Sequence, residues 1–337
     1  MLRAFITALA GPELAPAEAA VLHRTRPCGV ILFARNAQDP SQLRLLTDAV
    51  RDALEGEEIL ILIDQEGGRV RRLKPPHWRA LPPAAAYAAR YAGDPDGACR
   101  AARLSARLTA ADLRAIGINT NCAPVLDVPV PGSHDIIGDR AYGKTPAQVA
   151  ALGRAVAEGY MAGGVLPVIK HVPGHGRATK DSHLDLPVVD AARAELDATD
   201  FAPFRSLADM PAAMTAHVVF TAIDPGNPAS TSRRVTTDVI RGAIGFDGLL
   251  MSDDLGMKAL SGTVAERAAA MIAAGSDVAL LCSGDLAETE AVAAAVPCLE
   301  GPALARLQCA RAVFGQQSPF DVAEAEASLA EALRSWA

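Results

Sequence analysis

Short runs of apolar, β-favouring residues alternate along this chain with longer stretches in which apolar positions recur every three or four residues. The runs predict strands at Leu2–Leu9, Gly29–Phe33, Ile59–Asp64, Asn119–Val125, Pro167–His171, Ala212–His217, Gly248–Asp253 and Val278–Cys282. Between them lie amphipathic helices with plain start signals. Asp39-Pro40 sets an N-cap and a first helical position, and Leu43, Leu46, Val50 and Leu54 follow on one face. Thr145-Pro146 opens another helix, lined by Val149, Leu152, Val156 and Tyr160 and stopped at Gly163-Gly164. Strands alternating with helices imply parallel β-α units, and eight such units imply a closed α/β barrel of the (β/α)8, TIM type. An open doubly wound sheet is the alternative that this pattern also permits.

No repeat, low-complexity tract or linker divides the 337 residues, which are read as one catalytic barrel domain over residues 1–337. A helical extension is expected from about residue 285, with Val322–Trp336 as a last packing helix. A chain this long buries roughly 75% of its unfolded surface, so stability requires neither metal nor disulfide. The formal charge of −7 and scattered arginines argue against a nucleic-acid partner. No stretch is long and apolar enough to span a membrane. The N-terminal apolar run carries one charged residue ahead of it and is shorter than a signal core, so it is read as a first strand. Six widely spaced cysteines without a CxxC pair read as reduced, mostly buried thiols in a cytosolic protein and argue against a cysteine-built zinc site.

The predicted strand ends carry the chemistry: Asp64, Asp127, Lys170 with His171, His217 and Asp253. Acids and bases gathered at the C-terminal ends of barrel strands mark an active site. The densest segment runs Lys170-His171-Val172-Pro173-Gly174-His175-Gly176 and on to Asp181-Ser182-His183. Ionisable groups beside Pro and Gly suit a mobile catalytic loop. Within it Asp181 is placed to orient His183 and raise its pKa, which makes His183 a proton donor and acceptor. Asp253 ends an apolar strand, and its side chain and that of Asp254 point to opposite sides on extended backbone. A carboxylate at the barrel mouth can serve as a nucleophile. After the third strand, Asp64-Gln65-Glu66-Gly67-Gly68-Arg69-Val70-Arg71-Arg72 combines an acid with arginines suited to hydroxyls or an anion, and lacks either phosphate-binding glycine fingerprint. His171, His175, Asp181 and His183 are all residue types that bind zinc, but a Pro-Gly separates the first two, unlike the shared helix face of HExxH. No metal and no cofactor are expected.

The chain resembles the bacterial β-N-acetylglucosaminidases of glycoside hydrolase family 3, the cell-wall-recycling type. The likeness runs through Gly29-Val30-Ile31-Leu32-Phe33-Ala34-Arg35-Asn36, Asp64-Gln65-Glu66-Gly67-Gly68-Arg69, Ala123-Pro124-Val125-Leu126-Asp127-Val128, Ile137-Gly138-Asp139-Arg140 and the two motifs above. The resemblance implies Asp253 as the nucleophile of a covalent glycosyl-enzyme, with His183 as general acid/base and Asp181 as its partner. It further implies that Asp64, Arg72, Arg140, Lys170 and His171 hold the acetamido sugar. Val172 stands where a Phe is common and Gly256 where a Ser is common, and neither position carries a chemical role. The expected substrate is a small carbohydrate, a muropeptide in which N-acetylglucosamine is β-1,4-linked to anhydro-N-acetylmuramic acid, cleaved in the cytoplasm. Four other readings stay open here: phosphorolysis, since a histidine acid/base repels phosphate less than a carboxylate would; a β-glucosidase; a non-catalytic muropeptide-binding barrel; and substrate-assisted cleavage with Asp253-Asp254 as the acidic pair.

Overall fold

The computed structural model describes residues 1–178 and 186–334. Eight parallel strands form the barrel: β1 (Arg3–Ala8), β2 (Pro27–Leu32), β3 (Leu60–Ile63), β4 (Thr120–Asn121), β5 (Leu166–Pro167 continuing as Ile169–Val172), β6 (Ala212–Thr215), β7 (Leu249–Asp254) and β8 (Val278–Leu280). Each lies where the apolar runs predict a strand. β3 reads Leu-Ile-Leu-Ile with every side chain buried, the continuous apolar signature of a strand covered on both sides.

Neighbours pair in the order β4-β3-β2-β1-β8-β7-β6, and β5 stands at both ends of it. Its first segment pairs with β4, Thr120 opposite Leu166, and its second with β6, Ala213 opposite Ile169. Val168 joins the two segments, its N–H facing the carbonyls of Asn121 and Ala123 at 3.0 and 3.1 Å. The sheet therefore closes on itself, and the open doubly wound alternative is excluded.

The fourth strand is shorter than the predicted Asn119–Val125. Pro124 has no N–H for the ladder, which breaks the regular pairing. Contact with β5 resumes beyond it, where the Lys170 N–H donates to the Pro124 carbonyl at 3.1 Å and the Leu126 N–H to the Lys170 carbonyl at 2.6 Å.

The outer ring follows the predicted helix signals. Asp39 caps helix Pro40–Ala53 by accepting from the N–H groups of Ser41 and Gln42 at 2.8 and 2.9 Å. That helix buries Leu43, Leu46 and Val50 against the barrel, a contribution of about 1.5–3 kcal/mol per side chain. Helix Pro146–Ala162 likewise starts at a Thr145 cap, ends at Gly163, and buries Val149, Leu152, Val156 and Tyr160. Beyond β8 come helices Leu286–Ala295, Gly301–Arg311 and Val322–Arg334. Among the described residues no helix is long and apolar enough to cross a membrane.

Candidate active site

A cavity of ≈ 340 Å³ opens at the C-terminal ends of the strands. Asp64 directly follows β3, and the chain then runs into a short hairpin, Gln65–Gly67 against Val70–Arg71, that brings Glu66 and Arg72 to the rim. β5 contributes Lys170 and His171, β6 Met214, β7 Asp253 and Asp254, and β8 Leu280 with Cys282 just beyond it. The turn Gly138–Arg140, reached from β4, adds Arg140.

Five of these side chains form a continuous chain of opposite charges. Arg72 Nη2 lies 3.0 Å from Asp64 Oδ2, and Lys170 Nζ lies 2.9 Å from Asp64 Oδ1 and 2.7 Å from Glu66 Oε1. Arg140 grips Glu66 with both arms of its guanidinium, at 2.8 and 2.9 Å. Lys170 is almost fully enclosed, with 3% of its side chain exposed. Burial alone would raise the pKa of Asp64, but the charges of Lys170 and Arg72 outweigh it and hold that carboxyl well below the usual range. Glu66 is held low by Lys170 and Arg140 against the same burial. Burial would make Lys170 easier to deprotonate, yet Asp64 and Glu66 raise its pKa above the ordinary lysine value. The cavity wall is thus a fixed array of charges in which every cation has an anionic partner.

A second polar cluster orients the histidines. Asp127 is fully buried behind the cavity and stays ionised, because His171 and the backbone overcome the burial penalty. Its Oδ2 accepts from His171 Nδ1 at 2.7 Å, and its Oδ1 accepts from the His171 and His175 N–H groups at 3.2 and 2.7 Å. An ionised carboxylate can only accept, so Nδ1 of His171 carries a proton toward Asp127 and Nε2 is the ring nitrogen left for a ligand. The loop that begins here leaves β5 under tight backbone constraint. Gly174 has a positive φ of 148°, and a β-carbon on Gly176 would collide with the Val128 carbonyl. Arg177 then pairs with Asp200 and Glu195, each at 2.6 Å.

Asp253 presents an ionised carboxylate. Burial pushes its pKa up, but His171, His217 and the Asp254 N–H, 2.8 Å from Oδ1, bring it below the ordinary value. Its neighbour Asp254 moves the opposite way, raised by burial and by the charge of Asp253, although its Oδ1 accepts from the N–H groups of Gly256 and Cys282 at 3.0 Å each. Both residues line the cavity, and their carboxylates have different backbone partners. Residues 253 and 254 sit at the ragged end of β7, where pairing with β8 shifts register and regular alternation stops.

Six of the eight residues singled out from the sequence line this one cavity: Asp64, Arg72, Arg140, Lys170, His171 and Asp253. Asp181 and His183 lie outside the described residues. Among the described residues no group of three or more His, Cys, Asp or Glu side chains is arranged to hold a metal ion. Sequence reasoning missed Glu66 as a site residue. The signal was present, since residues two apart on extended backbone share a side and Asp64 stands at the mouth. It also missed Phe33, whose ring lies 4.7 and 5.4 Å from the Arg35 and Arg72 guanidiniums, and Met214, Met257 and Cys282 on the apolar wall.

The buried groups set the acid stability of the fold. Burial, then the charge of His171, lowers the pKa of His175 from 6.5 to about 4. The unfolded imidazole therefore takes up a proton below pH 6.5 that the folded one refuses until about pH 4, and stability falls as pH drops through that window. Asp64, Glu66 and Asp127 are more acidic folded than unfolded, so their contribution is complete above about pH 4–5 and is lost as pH falls further. Thermal unfolding followed from pH 7 to pH 3 is expected to show a falling midpoint that begins near pH 6.5 and steepens below pH 4.5. His175→Gln should flatten the upper part. A flat profile between pH 6.5 and 4.5 would refute the assignment.

Comparison with known proteins agrees with this geometry. Residues 2–310 match the glycosyl hydrolase family 3 N-terminal domain. A β-hexosaminidase from Alkalilimnicola ehrlichii is 44% identical over 279 residues, 82% of this chain and 79% of that protein. One from Bordetella avium is 39% identical over 285 residues, 83% of this chain and 81% of that one. NagZ from Neisseria gonorrhoeae superposes with a TM-score of 0.88 at 32% identity, covering 98% of both chains. A glycoside hydrolase family 3 β-N-acetylglucosaminidase from a Paenibacillus species gives 0.86 at 32% identity, with 98% of this chain matching 66% of that one. The chain belongs to glycosyl hydrolase family 3, as a member of its β-hexosaminidase group.

Proposed function

We propose that this cavity removes terminal N-acetylglucosamine from muropeptides, cleaving its β-1,4 bond to anhydro-N-acetylmuramic acid in the cytoplasmic recycling of cell wall. The observation that carries the reading is the opposition of one ionised carboxylate, Asp253, to a wall of hydrogen-bonding groups, Asp64, Arg72, Lys170 and His171, within a space that fits a single sugar ring. At ≈ 340 Å³ the cavity is at the small end of ligand sites. The N-trifluoroacetyl-D-glucosamine complex of the Neisseria gonorrhoeae NagZ supports an acetamido-type sugar as occupant.

The chemistry follows as a retaining double displacement. Asp253 attacks the anomeric carbon from the face opposite the leaving group while the glycosidic C–O bond breaks. His183, as imidazolium, gives its proton to the departing oxygen, and Asp181 holds its ring. The neutral imidazole then takes a proton from water, whose oxygen displaces the Asp253 carboxylate and restores the β-configuration. Asp64, its carboxylate fixed by Lys170 and Arg72, accepts from ring hydroxyls, while Arg140 and His171 Nε2 complete the grip. Asp64 and Arg72 are assigned to the non-reducing end of the sugar, which makes the action exo.

Incubation with the disaccharide N-acetylglucosaminyl-anhydro-N-acetylmuramic acid, followed by chromatography, is expected to yield the two free monosaccharides. The β-glucosyl analogue should turn over at least about tenfold more slowly, since a site built to hydrogen-bond the acetamido group leaves its own polar atoms unpaired when that group is missing. Equal rates would favour a β-glucosidase. Binding without cleavage would favour a muropeptide sensor, and N-acetylglucosamine 1-phosphate formed in phosphate buffer would favour phosphorolysis.

A further inference from the structure

The end of β7 that carries Asp253 is tied down on several sides, and one tie comes from a residue to which the reaction above gives no task. Ser252 Oγ donates to the Asp253 carbonyl at 2.8 Å and accepts from the Leu280 N–H at 3.0 Å. The Asp254 carboxylate reaches Gly256 and Cys282, and the Asp254 N–H reaches Asp253 Oδ1. The Asp254 carbonyl accepts from the Met257 N–H at 3.2 Å and from His217, which is fully buried just beyond β6. Nε2 of His217 lies 3.0 Å from the Asp254 carbonyl and its Nδ1 lies 2.7 Å from Ser230 Oγ.

A carbonyl can only accept, so Nε2 of His217 bears the hydrogen, and Nδ1 accepts from the Ser230 hydroxyl. Burial lowers the pKa of this ring, which keeps it neutral although Asp253 and Asp254 face it and His171 lies near. The ring also favours the ionised form of Asp253, but as a neutral group its main hold on that residue is the hydrogen bond to the Asp254 backbone. Simple packing does not account for a histidine here. An imidazole in a dry site loses its hydration, and that cost is recovered only when both nitrogens find partners, as they do here on two separate elements. An apolar ring would fill the same space without that requirement.

We infer that His217 is a positioning residue for the nucleophile: held by Ser230, it fixes the Asp254 backbone so that the Asp254 N–H engages one oxygen of Asp253 and leaves the other directed at the anomeric carbon. The inference rests on the proposed reading of Asp253 as nucleophile. Its consequence is specific to the first chemical step. Sugar binding depends on the Asp64–Lys170–Glu66 wall across the cavity, whereas attack depends on the aim of Asp253, and a displacement near 1 Å costs about 10²-fold in rate.

The test is the rate of covalent labelling by a 5-fluoro-N-acetylglucosaminyl fluoride, which traps the glycosyl-enzyme, with the labelled residue mapped by mass spectrometry. The wild-type protein should be labelled at Asp253. His217→Phe should be labelled, and should turn over, about 10²-fold more slowly with KM within about twofold. His217→Gln, whose amide N–H reaches toward the same carbonyl, should recover about tenfold of that loss. Labelling of His217→Phe at the wild-type rate overturns the inference, and so does a Gln variant as slow as the Phe variant. If His217→Phe does not fold, Ser230→Ala carries the test, with labelling slowed several-fold expected and an unchanged rate overturning the inference. A wild-type label on another residue refutes the nucleophile reading itself, and the inference with it; that result is recognisable without any variant.

Discussion

Replacing Asp253 by Ala is expected to lower kcat by about 10⁴-fold or more while the protein still folds and still binds sugar. The carboxylate makes one short hydrogen bond to the chain among the described residues, from the Asp254 N–H, so its loss leaves little of the fold unsupported. Affinity should survive because the wall formed by Asp64, Arg72, Lys170 and Arg140 does not involve it. The vacancy also gives a positive signal. Azide is small enough to enter from the face that Asp253 occupied and can attack the anomeric carbon of an aryl β-N-acetylglucosaminide. The bond to the aryl oxygen breaks, and the product is the α-glycosyl azide. If the substrate's own acetamido group were the nucleophile instead, azide would open the cyclic intermediate from the other face and give the β-azide. Product configuration by NMR therefore separates the two mechanisms in a single variant.

The second large effect is expected at Lys170. Its ammonium sits between two carboxylates, 2.9 Å from Asp64 and 2.7 Å from Glu66, with almost no exposure to water. Lys170→Met keeps the volume and removes the charge, leaving Asp64 and Glu66 as like charges in a dry wall. Removing one partner of a buried ion pair costs about 3–5 kcal/mol. A loss of that size should appear as a lowered denaturation midpoint with an unchanged slope. kcat/KM should fall by about 10²-fold or more, because Asp64 is both misplaced and harder to ionise without its cation. Adding Glu66→Gln to Lys170→Met should restore part of the stability by removing one of the opposed carboxylates, without restoring activity. A double variant less stable than Lys170→Met would show that Glu66 is held chiefly by Arg140 and that the five-residue chain does not act as one unit.

Much of the fold was legible because a strand covered on both sides leaves an unmistakable apolar run. Leu60–Ile63 is such a run, as is Leu249–Met251, and the Asp39-Pro40 and Thr145-Pro146 starts mark helices through backbone chemistry that needs no tertiary context. The fourth strand was over-read because Val125 and Leu126 are apolar and buried while Pro124 interrupts the ladder between them and Asn121. The polar half of the site was legible for a related reason: Asp64, Lys170, His171 and Asp253 stand at the ends of runs where a soluble core has no place for charge. Met214, Met257 and Cys282 carry no such mark, since an apolar residue facing a cavity and one facing the core look alike in sequence. Glu66 sits among glycines and arginines that also read as a turn, although its spacing from Asp64 places both on one side of extended backbone. The tie from His217 to the Asp254 carbonyl could not be read at all, because it depends on β6 and β7 lying side by side.

The central claim is retaining cleavage of a β-linked acetamido sugar, and the most direct measurement is the configuration of the sugar as it is released. Proton NMR of an aryl β-N-acetylglucosaminide during the first minutes of hydrolysis resolves the two anomers before mutarotation mixes them. The account predicts β-N-acetylglucosamine first, with the α-anomer growing in only as the solution equilibrates. An initial burst of the α-anomer would mean a single inverting displacement by water, and would remove Asp253 from the role of nucleophile.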